Sequence, residues 1–121
     1  MNKKYLLLTC LVLLSFALFY LSPLNGLAES GDQSQEIVIE LNDDFFNPNA
    51  LTIPHGKTTI LVLQNKGVKD HTFTVRGLAI DVELKPGEEE MLSVLPEQPG
   101  THKLICRFHE QQGMVGEVVV E

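Results

Sequence analysis

The sequence predicts an all-β domain, an antiparallel Greek-key sandwich or barrel of seven to eight strands. Three observations lead there. From residue 36 onward, apolar residues alternate with polar ones or run in short β-branched stretches. Clusters of Gly, Pro and Asn interrupt these stretches at short intervals. No amphipathic helix of useful length is present, and any helix would be a single turn near residues 110–113.

The elements follow in order. Ile37, Ile39 and Leu41 alternate with Glu36, Val38 and Glu40, the pattern of a strand with one buried face. Leu51 and Ile53 come next, just ahead of the turn signal Pro54-His55-Gly56. Residues 58–63 are β-branched and apolar, and Gln64-Asn65-Lys66-Gly67 closes them. Residues 72–75 alternate and stop at Gly77. Val82 and Leu84 precede the turn at Pro86-Gly87. Met91 and Leu95 bracket Ser93, before the breaks at Pro96 and Pro99-Gly100. Within residues 102–106, Leu104 and Cys106 share a face, and Gly116 leads into Val118, Val119 and Val120. There is no internal repeat and no low-complexity tract.

The first residues have a different character. Lys3 and Lys4 precede an apolar run of about 17 residues, and Gly26-Leu27-Ala28 places small residues where a signal peptidase reads. Residues 1–28 therefore read as a secretory signal, with cleavage after Ala28. The alternative is a retained anchor, since the run sits at the short end of what spans a bilayer. Residues 29–35 are polar and form a flexible lead-in, and residues 36–121 form the folded domain. The expected location is outside the cytoplasm: the periplasm or the outer face of the cytoplasmic membrane.

Loss of the signal removes Lys3 and Lys4. Seven Lys and Arg then face sixteen Asp and Glu, a net charge of −9. That excludes nucleic acid as a partner and leaves a membrane role only through a retained N-terminal segment. An acidic surface suits solubility and can steer a basic protein partner. A monomer is expected. Of the two cysteines, Cys10 lies in the signal, so the exported chain keeps only Cys106 and cannot close an internal disulfide. Cys106 is then a buried apolar residue, an intermolecular bridge or a metal ligand.

Its neighbours decide. Cys106, His109 and Met114 have the spacing C-x2-H-x4-M in a loop between two strands. Such a loop can aim a thiolate, an imidazole and a thioether at one centre, and Gly113 frees the backbone just before the methionine. This soft set favours copper, and two His, one Cys and a weak axial Met make the blue-copper arrangement. The second histidine is best supplied by His71, which follows the turn at residues 65–70 and precedes the strand that opens with Thr72-Phe73. His55 sits in a Pro-Gly turn and His102 is out of phase with Leu104, so both are assigned to the surface. Glu88-Glu89-Glu90 reads as a solvated strand start.

With these residues in view, the chain resembles the cupredoxin family, and specifically its plastocyanin-like branch of type 1 blue copper proteins. The likeness runs from about Ile37 to the C-terminus. It is carried by Phe46-Asn47-Pro48, by Leu51-Thr52-Ile53-Pro54 with Gly56, and by Asn65 with His71. Leu84-Lys85-Pro86-Gly87-Glu88, Pro99-Gly100-Thr101 and the Cys106–Met114 loop complete it. The resemblance implies one copper per chain, with Cys106 as the thiolate ligand, His71 and His109 beside it, and Met114 as the long axial ligand. It implies that His109 lies near the surface in an apolar patch, as the electron's exit. It also implies a bond from the Thr72 N–H to the Cys106 sulfur. Two positions depart: Thr72 stands where the family often has Asn, and Phe108 where it often has Pro. Both departures bear on the reduction potential.

The expected function is one-electron transfer between redox proteins. The alternative is a copper carrier, or an accessory domain of a copper or iron uptake system. Catalysis is not expected, because no Ser-His-Asp, paired-carboxylate or phosphate-loop pattern occurs and a four-ligand site has no open position.

Overall fold

The computed structural model describes residues 33–121. The expected signal segment and most of the expected lead-in lie outside the described residues. Nine strands follow in order: β1 Gln35–Asn42, β2 Phe45–Asn47, β3 Ala50–Ile53, β4 Thr59–Asn65, β5 His71–Val75, β6 Ile80–Leu84, β7 Glu89–Val94, β8 Gly100–Ile105 and β9 Val115–Val120. Two single 3-10 turns, Arg76–Leu78 and Glu110–Gln112, complete the described secondary structure. The second falls where the sequence allows a lone helical turn.

The strands form two facing sheets. One has the order β2-β1-β4-β7, the other β3-β9-β8-β5-β6. Strand alternation decides what lies between them. Ile39 and Leu41 of β1, Leu61 and Leu63 of β4, and Phe46 of β2 point inward from the first sheet. Phe73 and Val75, Leu84, Leu104, Val118 and Val120 answer from the second. Phe46 and Phe73 meet edge to face with ring centroids 6.1 Å apart, a favoured aromatic geometry that ties the two sheets together. Val62 points outward but is also buried, because β1 and β7 set Val38 and Met91 on either side of it.

Two features differ from the expected architecture. The sheets are mixed: β1 pairs parallel with β4, and β3 pairs parallel with β9. There is also a ninth strand, β2, whose three residues are too few to show an alternating pattern. The parallel pairs matter for the site. In register, Leu41 sits beside Asn65, so β1 and β4 end together. His71 is opposite Leu84, and Ile105 is opposite Val115. The loops after β1, β4, β6 and β8 therefore gather at one end of the sandwich.

Candidate metal centre

Three of those loops build one site. His71 opens β5, and its Nδ1 lies 3.9 Å from the sulfur of Cys106, the residue that follows β8. His109 brings its Nδ1 to 3.5 Å from the same sulfur. The two imidazoles lie 4.9 Å apart, inclined at 62°. One donor atom from each of His71, Cys106 and His109 thus falls within 4.8 Å of the other two.

Backbone bonds shape the loop that carries Cys106, His109 and Met114. The His109 N–H donates to the Cys106 carbonyl at 3.2 Å, and the Met114 N–H donates to the His109 carbonyl at 3.1 Å. The Cys106 N–H donates to the Met114 carbonyl at 3.1 Å and closes the ring. The turn needs Gly113 at φ +91°, a left-handed conformation that glycine adopts without a steric cost. Cys106, Met114 and His71 are fully buried, whereas the His109 side chain keeps 16% of its surface exposed. Phe108 beside it is exposed, as are Val68 on the loop before β5 and Phe45 at the start of β2.

The surroundings are ordered by hydrogen bonds. The Thr72 N–H points at the Cys106 sulfur at 3.4 Å. The Thr72 hydroxyl oxygen accepts the Arg107 N–H at 2.8 Å, tying the strand after His71 to the Cys106 loop. A chain continues from there through Thr74 to Asp81. The two Thr hydroxyls are 3.0 Å apart, and the Thr74 hydroxyl donates to Asp81 at 2.7 Å. The Arg107 Nε donates to the same Asp81 oxygen at 2.8 Å. On the other side, Asp43 meets His71 Nε2 at 3.0 Å and accepts the N–H groups of Val68 and Lys69. Those bonds, His71's foremost, hold the Asp43 carboxyl below the usual carboxylate range. Asn65 braces the loop before His71 by donating to the carbonyls of Lys69 and Leu84 and accepting from Gly67.

A family model described as a cupredoxin-like domain matches residues 10–120. The chain belongs to the cupredoxin family. Cytochrome c oxidase subunit 2 of Thermus thermophilus is 26% identical over 102 residues, which is 82% of this chain and 75% of that protein. The reduced auracyanin of Roseiflexus castenholzii superposes with a TM-score of 0.64 at 20% identity, over 73% of this chain and 98% of that one. A purple cupredoxin from Nitrosopumilus maritimus gives a TM-score of 0.52 at 25% identity, over 73% and 100%.

The donors of this cupredoxin fit one copper ion. A thiol and two imidazoles converge, and a buried thioether lies on the same loop, which is the soft set that copper takes. The other two histidines stand apart. His55 is exposed at the opposite end of the sandwich, where its N–H meets the carbonyl of Glu121. His102 also stays outside the site but is half-buried rather than free on the surface, because Gly77 has no side chain and the ring settles against it. Glu88, Glu89 and Glu90 are exposed, as their pattern suggests. The sequence reading missed Asp43, Asp81 and the side chain of Arg107. No spacing marks them, since the His71 partner of Asp43 lies 28 residues away and the Asp81 partner of Arg107 lies 26 away along the chain.

The Asp81 link yields a pH-dependent expectation. The Thr74 hydroxyl first, and then Arg107, hold the Asp81 carboxyl below the usual carboxylate range. A carboxyl held low in the folded state contributes stability above its unfolded value, and the contribution is lost as pH falls through the lower folded value. Asp81→Asn is expected to lower the urea midpoint at neutral pH. Its deficit should shrink as acid protonates Asp81 in both states. Urea titrations at a series of acid pH values check this, and a deficit constant with pH would contradict it.

Proposed function

We propose that this chain carries single electrons through one copper ion held by His71, Cys106, His109 and Met114. The convergence of three of those donors within 4.8 Å carries the reading. Cys106 supplies the thiolate, His71 and His109 supply Nδ1, and Met114 supplies a weak thioether contact that tunes the site. When bound, copper alternates between Cu(I) and Cu(II) and so provides the one-electron step. The protein's part is to resist rearrangement between those states. The ring of backbone bonds and the buried Asn65 brace do that by fixing both ligand loops before any metal arrives.

Burial favours this use over copper delivery. Cys106, His71 and Met114 have no exposed surface, so a metal among them has no open path to an acceptor's ligands. Only His109 reaches solvent, and it is the natural exit for an electron. Phe108 next to it, Val68 on the loop before β5 and Phe45 at the start of β2 offer exposed apolar surface suited to brief docking of a redox protein. The net charge of −9 left after signal removal favours a basic partner. We assign residues 1–28 to an export signal, 29–35 to a lead-in and 36–121 to a monomeric copper domain that works outside the cytoplasm. With four donors filled there is no open position for a substrate, so the chain is read as a carrier and not an enzyme.

Copper loading tests the reading. One copper per chain and an intense visible thiolate-to-copper absorption are expected, and Cys106→Ser should abolish the band. A colourless Cu(II)-loaded protein would end the electron-transfer reading. A copper carrier would instead give up its metal to an apo-acceptor within minutes, whereas an electron carrier should retain it through dialysis against a chelator. Met114→Gln should keep the band and lower the potential, because a harder oxygen ligand favours Cu(II). An unchanged potential in voltammetry would remove Met114 from the ligand set.

A further inference from the structure

The turn between β1 and β2 places two consecutive carboxylates beside the two histidines. Asp43 Oδ1 lies 3.0 Å from Nε2 of His71. Asp44 Oδ1 lies 4.0 Å from Nε2 of His109. The two carboxylates are not equivalent. Asp44 also holds the Lys69 ammonium at 3.2 Å, so its charge is largely cancelled. Asp43 meets only N–H groups: those of Val68 and Lys69 at 3.1 and 3.3 Å, and the His71 ring. Among the described residues, no Lys or Arg pairs with it.

An ionised carboxylate can only accept hydrogen bonds. The ring nitrogen facing Asp43 must therefore carry the proton. In the neutral ring, the form that binds a metal, that leaves the lone pair of His71 on Nδ1, the nitrogen turned toward the Cys106 sulfur. The contact also has no slack. A side chain at Gly67 would run into both the Asp43 carboxylate and the His71 Nε2, so the loop passes over this pair only as glycine. A histidine so anchored is a more basic ligand, and its orientation is set before metal binds. The oxidised metal carries one more positive charge than the reduced metal. A fixed negative charge one imidazole away therefore favours the oxidised state.

We propose that Asp43 is a positioning residue of the site: it fixes His71 as an Nδ1 donor, and its uncompensated charge lowers the reduction potential, whereas Asp44, paired with Lys69, leaves the potential nearly unchanged. This rests on the copper reading above, and the experiment separates the two. Nitrogen NMR of the copper-free full chain reports the His71 tautomer with no metal involved. The Nε2–H form is expected in the wild type and in Asp43→Asn, whose amide oxygen still accepts, and a mixture is expected in Asp43→Ala. In the copper-loaded chain, Asp43→Asn should raise the potential and Asp44→Asn should move it far less. Asp43→Ala should also weaken Cu(II) binding, by roughly 10- to 100-fold. An Nδ1–H tautomer in the copper-free wild type would overturn the proposal. So would a potential unmoved in Asp43→Asn, or one moved equally by Asp44→Asn. A wild type that takes up no copper would overturn the copper reading and the potential-setting role together, while the tautomer of the copper-free chain would still decide whether Asp43 positions His71.

Discussion

Three backbone hydrogen bonds, linking Cys106, His109 and Met114 in a ring, set the shape on which the site depends. Each candidate ligand on this loop has its main chain bonded to the other two. Their side chains therefore cannot shift independently, and a movement of one donor strains the backbone of the rest. Cys106 and Met114 are buried, so a bond broken there would leave their polar groups unpaired at a cost of about 1–3 kcal/mol each. The loop is held as a unit, and the remaining task of the fold is to bring His71 to it.

The sheets perform that task through pairings of opposite kinds. The antiparallel neighbours β5 and β8 meet at Thr74 and Ile105, which places the start of β5 beside the residues that follow β8. The parallel pair β1 and β4 brings the turn after β1 against the loop before β5. The Lys66 N–H then donates to the Leu41 carbonyl, and Asp43 caps the same loop. His71 is thus gripped from three sides: by its own strand, by the Asn65 brace and by Asp43. Its full burial follows from that grip, and so does the partial exposure of His109, whose loop has no such cover.

Much of this was legible in the sequence, for a physical reason in each case. The donors Cys106, His109 and Met114 share one short loop, so their spacing alone could announce them. Eight of the strands carry enough alternation, or a long enough apolar run, to be read as strands. What alternation does not report is the partner. The mixed sheets were invisible because a residue's face is set by its phase, whereas its neighbour across the ladder is set by topology. Strand β2 has one buried residue, Phe46, and one residue has no period. His102 was misjudged for a related reason. Its phase pointed outward, but burial also depends on what lies opposite, and a glycine there left room for the ring. Asp43 and Asp81 are acidic residues in unremarkable polar surroundings, and only the folded chain gives them partners.

Arg107 accounts for the two positions at which this chain departs from its family's usual pattern. Where Asn is frequent, Thr72 accepts the Arg107 N–H, so the tie between ligand loops is kept with a hydroxyl. The direction of the chain beyond it is fixed. Asp81 can only accept, so Thr74 donates to it, and Thr72 must then donate to Thr74 while accepting from Arg107. A chain polarised in one direction strengthens each of its bonds. The Arg107 guanidinium closes the circuit on Asp81, and it also lies over the Phe108 ring, 5.2 Å from its centroid. Phe108 occupies the place where Pro would stiffen the loop covalently. Here a cation–π contact, anchored by an ion pair, supplements the backbone ring that already holds the loop. A proline cannot be loosened by solvent conditions, whereas this arrangement can. The Arg107 tie beside His109 therefore depends on Asp81, a carboxylate on the edge strand β6 outside the candidate ligands, whereas the backbone ring does not.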